Sequence, residues 1–354
     1  MKMDILNPHL ININGRIYCK YNVEKPAPVP DEFVHENNET SDAWWDDEPD
    51  CQEEENVTKN SKGLYETALQ IPSSFFKYII GNRGDMKKRL EHETKTKIQI
   101  PGKGQEGDVI ITGNESCSVT SAKTRINLLV ASKRWKQPFT HFISIPLTSE
   151  SVKAGFQDFK NKVLQDFSKE RGIDESIFQK PLKLHLTICT LVLLNESEIN
   201  HAKEIFQKCQ HEILSEMCNG VPLEISVEGL EYMNDDPGAV DVLYAKVQCL
   251  DDSARLQVIA GRIAETFAAA GLSEKQYDRV KLHGTLMNTI FRRNGKERDN
   301  RNRKSRESFN ASPILLNLQD FKFGQATFHE VHLSQRLTTA QNGYYSCTDK
   351  ITAL

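Results

Sequence analysis

The sequence predicts an α+β protein with two folded domains behind an acidic N-terminal segment. Three observations support this fold class. Residues 61–136 follow the order strand, helix, helix, strand, strand, helix; residues 139–354 repeat a strand–helix–strand unit; and residues 31–56 hold 12 Asp and Glu without any Lys or Arg. A chain of 354 residues is long enough for two domains. We expect the divisions at 1–60, 61–136 and 137–354.

The net charge of −4 is the sum of an acidic segment, residues 31–56, and a basic remainder. Outside residues 31–56 the chain carries a net charge of +8, which favours nucleic acid as a partner. The longest apolar runs, such as LVLL at 191–194, are far too short to span a membrane, and the N-terminus lacks the apolar stretch of a signal peptide. The eight cysteines include no CxxC pair, so we expect reduced thiols and neither a metal site nor another cofactor.

Residues 1–60 are predicted to be a partner-binding segment without a core of its own. Residues 4–23 alternate apolar and polar side chains around Asn14-Gly15, a pattern typical of a β-hairpin. The acidic residues that follow favour disorder. Trp44 and Trp45 stand among these acids, so this stretch is either a short motif for a protein partner or a solubilising linker.

Residues 61–136 can be divided into the six elements of the predicted βααββα order. GLYETALQIP indicates a strand, SSFFKYIIG a helix, GNRG a short loop and DMKKRLEHETK a second helix. TKIQIP and DVIITG indicate two further strands. Residues 114–136 close the segment as a long helix whose apolar positions recur at helical spacing.

This order, with IIGNRG between the first two helices, resembles a type I KH domain. Two glycines let the backbone approach a sugar–phosphate chain closely, and the N-terminus of the second helix directs N–H groups at a phosphate. The resemblance therefore implies binding of single-stranded RNA, whereas a loop that only turns the chain is the structural alternative. The candidate RNA-binding residues are Gly81, Asn82, Arg83, Gly84, Lys87 and Lys88.

Residues 137–354 contain an internal repeat. The first copy is predicted as strand 139–147, helix 151–171, strand 183–191, helix 196–218 and strand 223–232. The second is predicted as strand 241–249, helix 252–270 and strand 281–289. Strand-like stretches at 317–323 and 327–333 follow.

The two copies share a motif at matched places, KLHLT at 183–187 and KLHGT at 281–285. A single HxT or HxS has little meaning, and a third match, His332-Leu333-Ser334, occurs near the end. The repetition of KLHxT in the same strand of a repeated unit is the informative feature. Because residues i and i+2 of a strand face the same side, each His and its Thr should project together.

This pattern resembles the two-histidine phosphoesterase superfamily. The resemblance implies a bilobal fold with pseudo-symmetric antiparallel sheets, flanking helices and a groove between the lobes. It also implies metal-independent cleavage of a phosphodiester or cyclic phosphate in RNA. One imidazole would act as base and the other as acid, in an order that the sequence leaves open. The candidate catalytic residues are His185, Thr187, His283 and Thr285.

Two alternatives remain for this motif pair. In the first, the histidines are only structural residues of half-buried strands. In the second, the site is preserved but does not catalyse turnover. Gly284 departs from the apolar residue that usually separates the His and the Thr, and this departure favours the second alternative. A metal site is disfavoured because neither five-residue motif contains Asp or Glu.

Residues 292–306 form a basic insert with eight Arg and Lys and two acids. This insert is interpreted as an RNA-contacting loop, a nuclear-localisation patch or a solvated loop. The residues considered as RNA contacts are Arg292, Arg293, Arg301, Arg303 and Lys304.

A KH domain joined directly to a two-histidine phosphoesterase, together with residues 231–247, resembles a family of subunits of a helicase-containing transcription coactivator complex. The resemblance implies a nuclear protein that works with the helicase subunit in transcription coactivation and alkylation-damage repair. The sequence predicts an RNA phosphodiesterase with no membrane span. The alternative is a catalytically silent RNA-binding or scaffolding subunit of the same complex.

Overall fold

The structure of the chain is a computed structural model. The structure describes residues 57–102, 104–218, 220–221, 223–274, 278–293 and 307–353, and the backbone of 9–13 and 16–20. The chain divides into two compact units, Met1–Lys136 and Gln137–Leu354.

The first unit begins with a short antiparallel pair of strands. Strand β1 spans His9–Ile13 and β2 spans Arg16–Lys20, with Ile13 opposite Arg16. This pairing agrees with the hairpin that the alternating sequence predicts.

The rest of the first unit has the predicted βααββα order with one additional strand. Its elements are β3 (Thr58–Lys59), β4 (Tyr65–Leu69), α1 (Phe76–Ile80), α2 (Asp85–Thr94), β5 (Thr96–Gln99), β6 (Val109–Gly113) and α3 (Ser116–Arg134). The four strands form an antiparallel sheet in the order β3-β4-β6-β5. A 3₁₀ turn, Ser73–Phe75, precedes α1, and a second, Asn82–Gly84, separates α1 from α2.

Helix α3 covers this sheet because its apolar side chains recur at helical spacing. Val119, Ala122 and Ile126 are fully buried, and the helix contacts β4 and β6. Ile98 and Ile111 of the sheet are buried as well. This core fixes α1, α2 and the loop between them.

The second unit contains eight strands and five α-helices among its described residues. They are β7 (His141–Pro146), α4 (Glu150–Asp166), β8 (His185–Leu191), α5 (Glu196–Cys209), α6 (Ser215–Cys218), β9 (Leu223–Met233), β10 (Val242–Cys249), α7 (Arg255–Ala269), β11 (His283–Asn288), α8 (Ser312–Leu318), β12 (Lys322–Phe328), β13 (Glu330–Gln335) and β14 (Cys347–Thr352). A π-helical turn, Gln210–Leu214, joins α5 to α6.

All eight strands pair antiparallel in the order β12-β9-β10-β11-β8-β7-β13-β14. Read outward from the centre, β11, β10, β9 and β12 correspond to β8, β7, β13 and β14. The two halves meet where β11 and β8 pair at Gly284 and Leu186. The predicted pseudo-symmetric antiparallel sheets are therefore present as the halves of one sheet.

The symmetry extends to an irregularity in each half. The register between β7 and β8 shifts between Ile143 and Ser144, and the register between β10 and β11 shifts between Leu243 and Tyr244. Each shift inserts one extra residue shortly after the histidine of its half. A β-bulge bends its strand and re-aims side chains, so both histidine strands are bent at matched places.

Two sequence predictions near the C-terminus are wrong. The stretch 327–333 was expected as one strand, but β12 ends at Phe328 and β13 begins at Glu330. The stretch 317–323 was expected as a strand, but α8 ends at Leu318 and β12 begins only at Lys322. Pro313 lies in the first turn of α8, where a proline costs no hydrogen bond and its fixed φ favours a helix. This start signal outweighs the β-like composition that follows it.

The contact between α4 and β12 depends on Gly155. A Cβ atom there would overlap the carbonyl oxygen of Phe323. At Gly261 in α7, by contrast, a Cβ atom would have no neighbour within 4 Å.

We expect Gly155→Ala to lower the free energy of unfolding by at least about 3 kcal/mol, because α4 and β12 must separate. Gly261→Ala should raise it by up to about 1 kcal/mol, because alanine is the better helix former. Urea denaturation followed by circular dichroism measures both changes. Equal midpoints for the two variants would contradict this account of the packing.

Candidate functional site

The two histidine motifs lie side by side at the centre of the second unit's sheet. His185 is the first residue of β8, and His283 is the first residue of β11. These strands are neighbours and run antiparallel, with Gly284 opposite Leu186. The sheet therefore joins two motifs that are almost 100 residues apart in the chain.

The register of this strand pair brings the four predicted catalytic side chains to one face. One residue to either side of the central pair, His185 lies opposite Thr285, and Thr187 lies opposite His283. Residues two apart in a strand share a face. Each histidine therefore has one threonine on its own strand and one on the neighbouring strand.

Steric packing explains why a glycine separates the His and the Thr of the second motif. Gly284 is buried, and a Cβ atom there would lie 3.1 Å from Cδ1 of Leu147. Leu147, which follows β7, is also buried and packs where the halves meet. A larger residue would force Leu147 to move, so the departure at Gly284 fits the packing behind the site.

Both imidazoles are held by the same hydrogen bond. Nδ1 of His185 lies 2.7 Å from the carbonyl oxygen of Lys183, and Nδ1 of His283 lies 2.7 Å from that of Lys281. Because a carbonyl oxygen only accepts, Nδ1 carries the hydrogen in each ring. In the neutral form, Nε2 is left as a proton acceptor in both halves.

Aromatic side chains support His185 in the first half. Its ring lies 5.3 Å from that of Phe142 and 5.2 Å from that of Tyr345, centroid to centroid. Lys183 Nζ lies 4.5 Å from the Tyr345 ring centroid and donates to Thr339 Oγ1 at 2.7 Å. The ammonium group of Lys183 is thus already hydrogen-bonded.

The second half repeats this arrangement with different elements. The ring of His283 packs edge-on against Tyr244 of β10, with the centroids 5.4 Å apart. Lys281 Nζ lies 4.8 Å from the Tyr244 ring centroid. The Tyr244 hydroxyl donates to Glu231 Oε2 at 2.6 Å, and Lys281 is exposed.

Sequence reasoning missed both tyrosines. Tyr345 lies 160 residues beyond His185, and Tyr244 comes from a neighbouring strand, so neither is within a motif. The lysines carried a signal, since both motifs begin with Lys-Leu-His, but this repetition gave no indication of what the lysines contact.

Burial shifts both histidines toward the neutral form. The pKa of His185 is lowered to about 4, mainly because burial disfavours its charged form; the hydrogen bond to Lys183 opposes this, and the charges of His283 and Lys183 add to it. The pKa of His283 is also lowered, mainly by burial and also by the charge of Lys281. Both rings are therefore neutral at pH 7.

A groove of about 740 Å³ runs along the site and includes Thr187 and His283. Its charged side chains are unevenly divided. The acidic ones are Asp235, Glu265, Glu274 and Asp278, and the basic ones are Arg279 and Lys281. The acidic residues make the groove unfavourable for a long polyanion. Lys281 is the positive group next to His283.

The third motif, His332-Leu333-Ser334, lies in β13 apart from the paired strands. His332 is buried, and its Nε2 atom lies 2.7 Å from Oε1 of Glu330 on the same strand. Ser334 Oγ lies 2.9 Å from Ser144 Oγ inside the sheet. These contacts favour a structural role for this motif.

In the first unit, the GNRG loop has backbone conformations that need glycine. Gly81 has φ 73°, and Gly84 has φ 86°. A Cβ atom at Gly81 would lie 2.8 Å from the backbone nitrogen of Met86, at the start of α2. Arg83 has φ 50°, which is rare for a residue with a side chain. The loop therefore turns tightly between α1 and α2.

The other residues predicted to contact RNA differ in their exposure to solvent. Asn82, Arg83 and Lys88 are exposed. Lys87 is half-buried, and its Nζ atom lies 3.8 Å from Oε1 of Glu91. The loop thus presents Asn82 and Arg83 to solvent, ahead of the positive end of the α2 dipole, and Lys88 is exposed in the first turn of α2.

The structure gives Arg292 a structural role at the base of the basic insert. Its Nε atom donates to Asp174 Oδ2 at 3.0 Å, and its other nitrogens donate to the carbonyl oxygens of Glu307 and Gly172. The Arg292 guanidinium is thus occupied by protein groups. The side chain of Arg293 and the residues Arg301, Arg303, Lys304, Trp44 and Trp45 lie outside the described residues.

In the described part of the chain, no group of three or more His, Cys, Asp or Glu side chains could hold a metal ion. None of the helices described there is both long and apolar enough to cross a bilayer.

Comparison with known families supports both domain types. Residues 66–128 match the KH domain family, and residues 139–353 match the AKAP7 2'5' RNA ligase-like domain family. These matches confirm the predicted combination of folds.

Known proteins resemble the chain to different extents. Activating signal cointegrator 1 complex subunit 1 of Mus musculus is 42% identical over 356 residues, which cover 97% of this chain and 98% of the mouse protein. A-kinase anchor protein 7 isoform gamma of Homo sapiens is 23% identical over 220 residues, 60% of this chain and 56% of that protein. The crystal structure of a Thermus thermophilus protein aligns with a TM-score of 0.38 and 16% identity, covering 60% of this chain and 97% of that chain. On the strength of its match along nearly the whole mouse protein, the chain belongs to the family of activating signal cointegrator 1 complex subunit 1.

Proposed function

We propose that this chain is a nuclear RNA-binding subunit whose two-histidine site cleaves phosphodiester bonds at RNA ends or in cyclic phosphates without a metal ion. The observation that carries the proposal is the pair of HxT motifs on neighbouring strands, with Nδ1 of each histidine bound to a carbonyl oxygen. Thr187 and His283 line the groove, and the strand register places His185 and Thr285 on the same face of the sheet. This face therefore carries two Nε2 atoms and two hydroxyls. They are the groups that acid–base cleavage of a phosphodiester requires.

The chemistry follows from the two imidazoles. The neutral imidazole takes the proton of the attacking hydroxyl, from water or a ribose 2′-OH, as the new P–O bond forms. The protonated imidazole gives its proton to the leaving oxygen as the old P–O bond breaks. Thr187 and Thr285 donate hydrogen bonds to the phosphate oxygens and stabilise the charge that develops there.

The low pKa values of both histidines make substrate binding part of this mechanism. Before a substrate binds, neither ring holds the proton that a leaving group needs at pH 7. A bound phosphate brings negative charge next to the imidazoles and raises their pKa, so one of them becomes protonated. The substrate thereby creates the acid that cleaves it.

The same observation supports a second candidate function. If the phosphate raises neither pKa far enough, the groove grips an RNA end without cleaving it. The chain would then be a catalytically silent RNA-binding or scaffolding subunit of the same complex. It would bind RNA tightly and in a salt-dependent manner, without turnover.

The setting of this activity rests on the family. A relative that matches nearly the whole chain is named as a subunit of the activating signal cointegrator 1 complex. We propose that this chain joins the corresponding complex, contacts its helicase through the segment with Trp44 and Trp45, and acts in transcription coactivation and alkylation-damage repair.

We expect His185→Ala and His283→Ala each to reduce RNA cleavage at least about 100-fold, because each removes one proton carrier. The assay uses the purified full chain, excess EDTA, and RNAs with 2′,3′-cyclic phosphate or linear 3′ ends. His211→Ala, at an exposed position, is the matched control and should cleave like the unchanged protein.

Cleavage that survives both substitutions, or that stops with EDTA, would contradict the mechanism. Tight binding without any cleavage by the unchanged protein would select the silent alternative.

For the GNRG loop, we expect replacement of Asn82 and Arg83 by aspartates to weaken single-stranded RNA binding about 10-fold at 0.1 M salt. The plot of log affinity against log salt should become less steep by about 1. Aspartate tolerates the left-handed backbone at Arg83, so the fold should survive.

The control for this loop variant carries the same change in charge. Lys62→Asp with Asn114→Asp places it at exposed positions outside the loop. Equal losses of affinity in both double variants would show that overall charge, and not the loop, binds RNA.

A further inference from the structure

A second cavity, of about 530 Å³, lies beside the His283 half of the site. Its lining comes from α8, β9 and β10, from Lys281 just before β11, and from the turn between β9 and β10. The roles argued above for the histidines and threonines do not account for it.

The cavity and the catalytic groove share a wall. Lys281 lines both of them, and Tyr244, whose ring packs against His283, lines the cavity. A group bound in the cavity is therefore next to the phosphate position. The exposed ammonium of Lys281 stands at the junction, where a phosphate linked to that group would meet a positive charge.

One side of the cavity is apolar. Pro237, Leu315 and Leu316 contribute to it, and the side chain of Leu316 is 86% exposed. An apolar wall in a concave site suits the flat face of a nucleobase, which has little polar surface away from its edge.

The other side presents a fixed hydrogen-bond acceptor. Oε2 of Glu231 accepts from the Tyr244 hydroxyl at 2.6 Å, so the carboxylate has one defined place in the cavity wall. An ionised carboxylate offers about four acceptor positions, of which Tyr244 occupies one. The cavity therefore favours a ligand edge with adjacent N–H donors.

Among the four RNA bases, guanine fits this edge best. Its N1–H and N2–H groups are neighbouring donors that can meet both oxygens of a carboxylate. Adenine and cytosine place an acceptor nitrogen beside the amino group, and uracil has one N–H between two carbonyl oxygens. Each of these acceptors would face the carboxylate and be repelled.

We propose that this cavity binds the base of a nucleotide attached to the phosphate at the two HxT motifs, and that Glu231 selects guanine there. The inference rests on the proposed function and specifies the substrate class of that site as RNA with a guanosine next to the cleaved phosphate.

The test compares kcat/KM for RNAs that differ only in the two nucleotides flanking the cleaved phosphate. A guanosine at one of these positions should raise kcat/KM about 5- to 150-fold over the other bases. Glu231→Gln should remove this preference, because the amide presents a donor where the carboxylate presents an acceptor, while it can still accept from Tyr244. Leu316→Asp should lower kcat/KM for the guanosine substrate, whereas Leu250→Asp, at another exposed leucine, should leave it unchanged.

A binding assay keeps this inference separate from the proposed catalysis. Equilibrium dialysis of the full chain with each of the four nucleoside monophosphates should show the tightest binding for guanosine monophosphate. Glu231→Gln should abolish the difference. Equal affinity for all four nucleotides would overturn the base pocket, even if RNA is cleaved. Guanosine-selective binding without cleavage would support the pocket and refute the proposed phosphodiesterase.

Discussion

The pairing of β11 with β8 is the contact on which the candidate site depends. It joins the two halves of the eight-stranded sheet at Gly284 and Leu186. An antiparallel pair in this register sets each histidine opposite the threonine of the other half. A slip of one residue would turn every side chain of one strand to the opposite face and separate the motifs. Gly284 and the buried Leu147 behind it help to hold this register.

The two halves of the site share their support and differ in their surroundings. Both histidines bind a carbonyl oxygen through Nδ1 and pack against a tyrosine beneath a lysine. In the first half, the ammonium of Lys183 is tied to Thr339. In the second, Lys281 is exposed between groove and cavity. The two imidazole rings therefore have matching support but different lysine environments. This difference is the asymmetry needed to orient a substrate whose two ends differ.

Much of this fold was predictable because local sequence signals agreed with the tertiary packing. The GNRG loop between two helices indicated the first domain, and the repeated KLHxT indicated two equivalent strands. The sequence did not predict that these strands join in one sheet, because strand order depends on long-range pairing. Tyr244 and Tyr345 reach the histidines only through that pairing. Arg292 shows the opposite error: its position in a basic run suggested RNA contact, yet it binds Asp174 and backbone carbonyls. Sequence gives a charge but not its partner.

The most direct test of the site is ¹⁵N NMR of the His185 and His283 imidazoles in the full chain across a pH titration. We predict that both neutral rings carry hydrogen on Nδ1. His185 should titrate near pH 4 and His283 below its ordinary pKa of 6.5, so that both are neutral at pH 7. Added phosphate should raise at least one of these pKa values, because its negative charge stabilises the imidazolium ion. Hydrogen on Nε2 of either ring in its neutral form, or an ordinary pKa for His185, would contradict the arrangement on which the proposed chemistry rests.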